Sequence, residues 1–328
     1  MSQIAVIGSG AWGLALASHL ARMNHDVLVW CHAEEVADQL RESGVFAGFP
    51  DVVLPSSIRY TADLQEAAAD QDLLIFAVAS PFTRSTAKRI APYIREGQRI
   101  TAVTKGVEDG TYATQVEIIR QEIPCAAVSA LSGPTHAEEV VRSLPTTIVS
   151  ASEDPEFAAF VQDLFMNEFL RVYTSTDVTG VELGGSLKNV IALAAGIADG
   201  IGYGDNLKAA LITRGIHEIC GLAVKLGARY ETLWGLSGMG DLIVTCASMH
   251  SRNRRAGILI AQGKTMEEAM AEVGQVVEGV YSAKAAVGLA ERCGVELPIS
   301  REVNRVLFEH KDPQQAVRDL LLRERKAE

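Results

Sequence analysis

A chain of 328 residues, 48% of them hydrophobic, is long enough for two domains with sizeable cores. Its formal net charge of −11 argues against general binding to nucleic acid or anionic membrane, so an anionic small ligand requires positive charge gathered locally. Five cysteines (Cys31, Cys125, Cys220, Cys246, Cys293) form no CxxC pair and no metal-ligand spacing, which reads as reduced thiols in a cytoplasmic protein without a metal site.

The chain opens on the apolar run Ile4-Ala5-Val6-Ile7, a strand candidate that leaves no room ahead of it for a signal peptide. Gly8-Ser9-Gly10-Ala11-Trp12-Gly13 follows at once. The GxGxxG spacing is weak evidence alone. Here a helix-like run, Ala11 to Met23, and a second strand-like run, Asp26 to Trp30, complete the βαβ context of a dinucleotide-binding fingerprint. Gly8 permits the tight turn, Gly10 the close approach of a pyrophosphate, and Gly13 close packing of helix on strand. The helix N-terminus then offers its N–H groups to the anion. An ordinary glycine turn is the competing reading, and the flanking elements disfavour it.

NAD-preferring sites place Asp or Glu at the end of the second strand, where it bonds the ribose 2′-OH. This chain has Trp30-Cys31-His32 there, with Glu34 and Glu35 slightly beyond. No carboxylate stands ready to repel a 2′-phosphate, and His32 is able to donate to one. NADP(H) and NAD(H) are both allowed. The plainer alternative is a solvent-facing loop histidine.

Further strand candidates are Asp72–Val78, Arg99–Val103, Cys125–Ala130 and Thr146–Val149, and Pro81–Tyr93 opens with proline as a helix does. This alternation predicts an α/β Rossmann-type, doubly wound, mostly parallel sheet. Ligands of such sheets bind beyond the carboxyl ends of the strands. Lys105 follows one end. Gly133-Pro134-Thr135-His136-Ala137 follows another, as a glycine turn opening a helix. A surface lysine is the commoner fate of such a residue, and the strand-end position is what raises Lys105 above it.

The text changes character near residues 174–180, expected to be the start of a helix, and is helix-patterned from about Asp177. The expected domains are therefore 1–178, dinucleotide-binding, and 179–328, all-helical. The most apolar stretch, Val190–Ala198, ends at Asp199, far short of a membrane span. Lys188 and Asn189 interrupt this apolar segment. A lysine there is uncommon unless paired or functional, and burial would lower its pKa toward a useful acid–base range. The alternative is a lysine that snorkels to water. Gly184, four residues earlier on the same face, is expected to clear space beside it.

Asp241 follows Gly238-Met239-Gly240, and Ser251-Arg252-Asn253-Arg254-Arg255 is a dense basic cluster in an acidic chain. Arg252 and Asn253 suit a phosphate clamp. Arg254 and Arg255 read as a solvated helix face. Glu278, opening another helix, reaches a ribose or amide, or simply caps the helix.

Taken in order, GSGAWGLALA, TKG, SGPTHAEE, GGSLKNVIALAAGIADG, LSGMGDLIVTC, SRNRRAG and QVVEG resemble the soluble NAD(P)-dependent glycerol-3-phosphate dehydrogenases of bacteria, over nearly the whole chain. The resemblance implies reduction of dihydroxyacetone phosphate to sn-glycerol 3-phosphate, the precursor of the phospholipid backbone. It implies that Lys188 donates and accepts the proton. It implies that Lys105, Gly133, Thr135, Asp241, Ser251, Arg252 and Asn253 join Lys188 in contacting substrate. Ala11, Trp12, His32, Lys105, Ala137, Arg252, Val276 and Glu278 are implied to line the cofactor with Gly8, Gly10 and Gly13. His136 departs from the apolar or aromatic residue common at its position. A homodimer stays open as the assembly. Two rival readings are a related hydroxyacid or 6-phosphogluconate-type dehydrogenase, which GMGDL and SRN argue against, and a non-catalytic NAD(P)-sensing protein, which needs neither a phosphate clamp nor the lysine.

Overall fold

The computed structural model describes residues 1–325. It divides into two compact units, Met1–Lys105 with Ala113–Val181, and Gly106–Tyr112 with the chain from Glu182 onward. Residues 326–328, assigned above to the helical half, lie outside the described residues.

The first unit is built on an eight-stranded sheet in the order β3-β2-β1-β4-β5-β6-β7-β8. Its strands are β1 (Gln3–Ile7), β2 (Asp26–Trp30), β3 (Arg59–Thr61), β4 (Leu73–Phe76), β5 (Arg99–Ala102), β6 (Ala127–Ser132), β7 (Thr146–Ala151) and β8 (Leu170–Ser175). All neighbours run parallel except β6 and β7. The central strands are apolar on both faces, with Ile4, Val6, Leu73 and Ile75 wholly buried, as a sheet covered by helices on both sides requires. The strand order reverses between β1 and β4, which is where a doubly wound sheet opens its ligand crevice.

Two local expectations are corrected and one strand is new: β3, only three residues long, carries no periodicity to detect. β8 takes up the beginning of the 174–180 segment, so the chain is still a strand at Ser175 and helical only from Val178. The expected helix Pro81–Tyr93 is an α-helix over Thr83–Ile90 between two single 3₁₀ turns, Ser80–Phe82 and Ala91–Tyr93. Pro92 has no N–H to give, so the α-helical ladder stops there and the chain closes in a 3₁₀ turn with Ala91 still at helical angles, φ −49° and ψ −40°.

The second unit is helical. Its long helix, Val178–Ile201, contains an 18-residue window with a mean hydropathy of 1.3, long and apolar enough to cross a membrane, but 94% of that window is buried inside the protein. That is the burial of a core helix. It crosses the helix Arg252–Ala261 at very close range. A Cβ on Gly196 would stand 2.1 Å from the Arg254 carbonyl oxygen, and one on Gly257 would stand 2.3 Å from that of Leu193. Glycines on both helices are thus what lets the two backbones touch.

Candidate functional site

The dinucleotide loop is built by backbone. Gly8 holds φ +126°, a conformation side chains rarely adopt, and its N–H donates to the Trp30 carbonyl at 3.1 Å, tying the turn to β2. A Cβ on Gly13 would lie 2.1 Å from the Gly8 oxygen, so the helix Ala11–Arg22 can sit on the turn only with glycine there. Gly10 differs. It is exposed and nothing lies within 4 Å of where its Cβ would be. No side chain caps the helix, so the first-turn N–H groups, from Ala11, Trp12 and Gly13, face this open space without intrahelical partners. An uncapped helix N-terminus beside an empty cradle fits a dinucleotide pyrophosphate. His32 is exposed just past β2, and Glu34, first in the next helix, is ion-paired to Arg41.

The ends of β5 and β6 come together. Lys105 Nζ donates to the Gly133 carbonyl at 2.9 Å, and the Thr135 hydroxyl donates to the same oxygen at 3.1 Å. Gly133 is a glycine because its Cβ would meet the Ile148 Cα of β7 at 3.0 Å. Ala137, buried, begins the short helix after this turn.

In the helical unit Lys188 does not snorkel. It is 5% exposed, and Nζ donates to Asp241 Oδ1 and to Thr245 Oγ1, each at 2.5 Å. Asp241 is wholly buried and is the first residue of the helix Asp241–Ala247, where the helix dipole favours a negative charge. The turn before it, Leu236–Gly240, is π-helical, an irregularity found often at functional sites. Gly184 does not leave room beside the lysine. Its missing Cβ is what admits the Ser237 carbonyl, which would lie 2.9 Å away, and so seats the strand of chain leading to Asp241. Burial pushes the neighbouring Cys246 thiol up to about 12, which makes it inert.

Ser251 caps the helix Arg252–Ala261, accepting from the Arg254 N–H at 3.2 Å. Asn253 is buried. Its Nδ2 donates to Asn189 Oδ1 at 2.9 Å and its Oδ1 accepts from the Gly279 N–H at 2.8 Å, which leaves its second N–H as a donor. Gly279 follows Glu278, a buried residue at the start of the helix Glu278–Cys293, and Val276 is half-buried just before it. Arg252 is half-buried and has no ion pair with any described residue. A cation in the first turn opposes the helix dipole, so helix stability does not account for its placement there.

Arg254 corrects the sequence reading. It is no solvated residue: its Nε bonds Asp199 Oδ2 at 2.6 Å, with 13% of the side chain exposed. Arg255 is exposed. Sequence reasoning missed Thr245 as the third member of the lysine cluster and Asn189 as the partner of Asn253. Thr245 stands one helical turn after Asp241, the only signal it carries. Among the described residues no cluster of His, Cys, Asp and Glu suits a metal ion.

Comparison with known proteins agrees over the whole length. A family model described as NAD-dependent glycerol-3-phosphate dehydrogenase N-terminus matches residues 3–158, and its C-terminus counterpart matches 177–318. The chain is 57% identical to a glycerol-3-phosphate dehydrogenase [NAD(P)+] of Agathobacter rectalis, covering 100% of this chain and 98% of that protein. It is 50% identical to one of Fusobacterium nucleatum, with 100% and 99% covered. The crystal structure of glycerol-3-phosphate dehydrogenase from Coxiella burnetii superposes with a TM-score of 0.95 at 36% identity, covering 98% of this chain and 99% of that one.

Proposed function

The chain belongs to the NAD-dependent glycerol-3-phosphate dehydrogenase family, and on that premise we propose how its residues divide the reaction. It is an NAD(P)-dependent oxidoreductase that interconverts dihydroxyacetone phosphate and sn-glycerol 3-phosphate, a step of phospholipid metabolism. Residues 1–178 serve mainly the cofactor and the helices that follow mainly the substrate. The buried ammonium of Lys188 carries this reading.

NAD(P)H, when bound, supplies the hydride. Lys188 Nζ gives a proton to the substrate oxygen as that oxygen gains negative charge, and takes it back in the reverse direction. Asp241 and Thr245 occupy two of the ammonium's three N–H directions, which fixes where the head group points. The positive charge of Lys188, itself only 5% exposed, also stabilises the developing alkoxide. Arg252, Asn253 and the Ser251 hydroxyl hold the phosphate at the helix N-terminus, so binding energy remote from the carbonyl orients it. Lys105, Gly133 and Thr135 contact substrate from the strand ends. Gly8, Gly10, Ala11, Trp12 and Gly13 hold the pyrophosphate, His32 the adenosine ribose or its phosphate, and Ala137, Val276 and Glu278 flank the rest of the cofactor with Lys105 and Arg252.

We place the protein in the cytoplasm, as its five free thiols suit a reducing compartment. The test of function is oxidation of NADH and of NADPH, followed at 340 nm, with dihydroxyacetone phosphate, unphosphorylated dihydroxyacetone and a 2-keto acid. Turnover with the phosphorylated ketone and little with the others is expected. Preference for the keto acid would favour the hydroxyacid-dehydrogenase reading, and no turnover would favour the sensor.

A further inference from the structure

Arg254 touches three helices that the reaction depends on. Its Nε bonds Asp199 Oδ2 at 2.6 Å, near the end of the helix that carries Lys188. Its Nη1 donates to the Ala247 carbonyl at 2.6 Å, the last residue of the helix that begins at Asp241. Its own backbone lies in the first turn of the helix that presents Arg252 and Asn253. The second oxygen of Asp199 binds Lys208 Nζ at 2.8 Å, and all three side chains are less than one-fifth exposed. The helix crossing passes through the same point, since the Arg254 carbonyl fills the place where a Gly196 Cβ would be.

We propose that Arg254 and Asp199 are positioning residues for the reaction, setting the register of the phosphate-binding turn against Lys188. Neither reaches the substrate. Glycines let the two backbones touch but carry no side chain to interlock, so the register depends on the side chains that flank the crossing. A largely buried arginine that bonds a residue on each of two other helices supplies the missing lock. It does so where error matters most, one and two residues from the phosphate ligands. Displacing such a ligand by about 1 Å is enough to cost on the order of 100-fold in rate. Lys208 balances the charge of Asp199 from the side away from Arg252 in sequence and carries no register information.

The inference rests on the phosphate role proposed for Arg252, so Arg252→Ala is measured beside Arg254→Met, Arg254→Lys, Asp199→Asn and Lys208→Met. Arg254→Met and Asp199→Asn are expected to raise KM for dihydroxyacetone phosphate by about 10- to 100-fold while KM for NADH stays within about twofold. Arg254→Lys should fall between them and the parent, since lysine restores the ion pair but not the second bond to Ala247. Lys208→Met should lower the melting temperature and leave KM unchanged. If Arg254→Met does not fold, the isosteric Asp199→Asn decides. A lowered melting temperature with unchanged substrate KM would overturn the inference, as would equal losses for substrate and NADH. An unaffected Arg252→Ala would instead overturn the phosphate reading itself.

Discussion

The loop Gly8–Gly13 and the cluster around Lys188 are built in opposite ways. In the loop the groups left without intrahelical partners are backbone N–H groups, and what matters is which side chains are absent. In the cluster the backbone is satisfied within helices, and what matters is which side chains are present and who holds them. The loop therefore fails by addition and the cluster by deletion. The loop is also local, while Lys188 meets Asp241 across 53 residues and Asn253 meets Asn189 across 64.

Deletion in the cluster should give the largest effect. Lys188→Ala is expected to lower kcat by about 10²- to 10⁴-fold, the worth of a positioned general acid. It also strands the wholly buried Asp241, at a cost to stability of about 3–5 kcal/mol, so the assay belongs on protein shown folded by circular dichroism. Near-normal turnover in that protein would remove Lys188 from the chemistry.

Addition in the loop should split cleanly between its glycines. At Gly10, whose φ of −73° suits any residue, alanine should leave the melting temperature unchanged and raise KM for the cofactor by roughly tenfold, because the methyl occupies the cradle of the pyrophosphate. At Gly13 the same change drives a carbon into the Gly8 oxygen and should destabilise the fold by about 1–3 kcal/mol. Equal thermal effects at both positions would break the distinction between cradle and packing glycines.

A smaller effect is expected at the exposed edge of the loop. His32→Asp should raise KM for NADPH several-fold more than KM for NADH, with the gap narrowing as salt screens the added charge. Unchanged discrimination would move 2′-phosphate selection to another part of the segment 33–37.

Glu218 serves as the control that touches neither region. It is buried and accepts from the Ile299 and Ser300 N–H groups, capping the helix Pro298–Phe308. Burial raises its pKa from 4.5 to about 7, against the opposing pull of those hydrogen bonds. The folded state thus holds this proton where the unfolded chain has released it, and the stability it contributes falls as pH rises from about 4.5 through 7, by up to about 3 kcal/mol. Glu218→Gln should flatten that part of the melting-temperature profile with kcat unchanged. A profile parallel to the parent's would mean another group sets the slope.

The same contrast explains what was legible in the sequence. The loop reads directly because its glycine spacing is dictated by local geometry, and the alternation of strands around it yields the sheet. Lys188 reads as an anomaly, a charge in an apolar helix, but nothing local names Thr245 or Asn189 as partners. Arg254 was misread because an arginine facing solvent and one facing a distant aspartate look alike until the helices cross. β3 and β8 escaped because a three-residue edge strand and a strand running straight into a helix leave little pattern of their own.

The glycines at the helix crossing bear on how this protein can be made more robust. Replacing helical glycine by alanine ordinarily stabilises a protein by about 0.5–1 kcal/mol, since it restricts the unfolded chain. At Gly196 and Gly257 that route is closed, because the added carbon has only a neighbouring backbone to enter. Gly221, exposed within the helix Asp205–Lys225, has no atom nearer than a Val295 methyl at 3.7 Å and leaves it open. Engineering for heat tolerance therefore has to work outward from the crossing, where the two backbones leave no room for an added carbon.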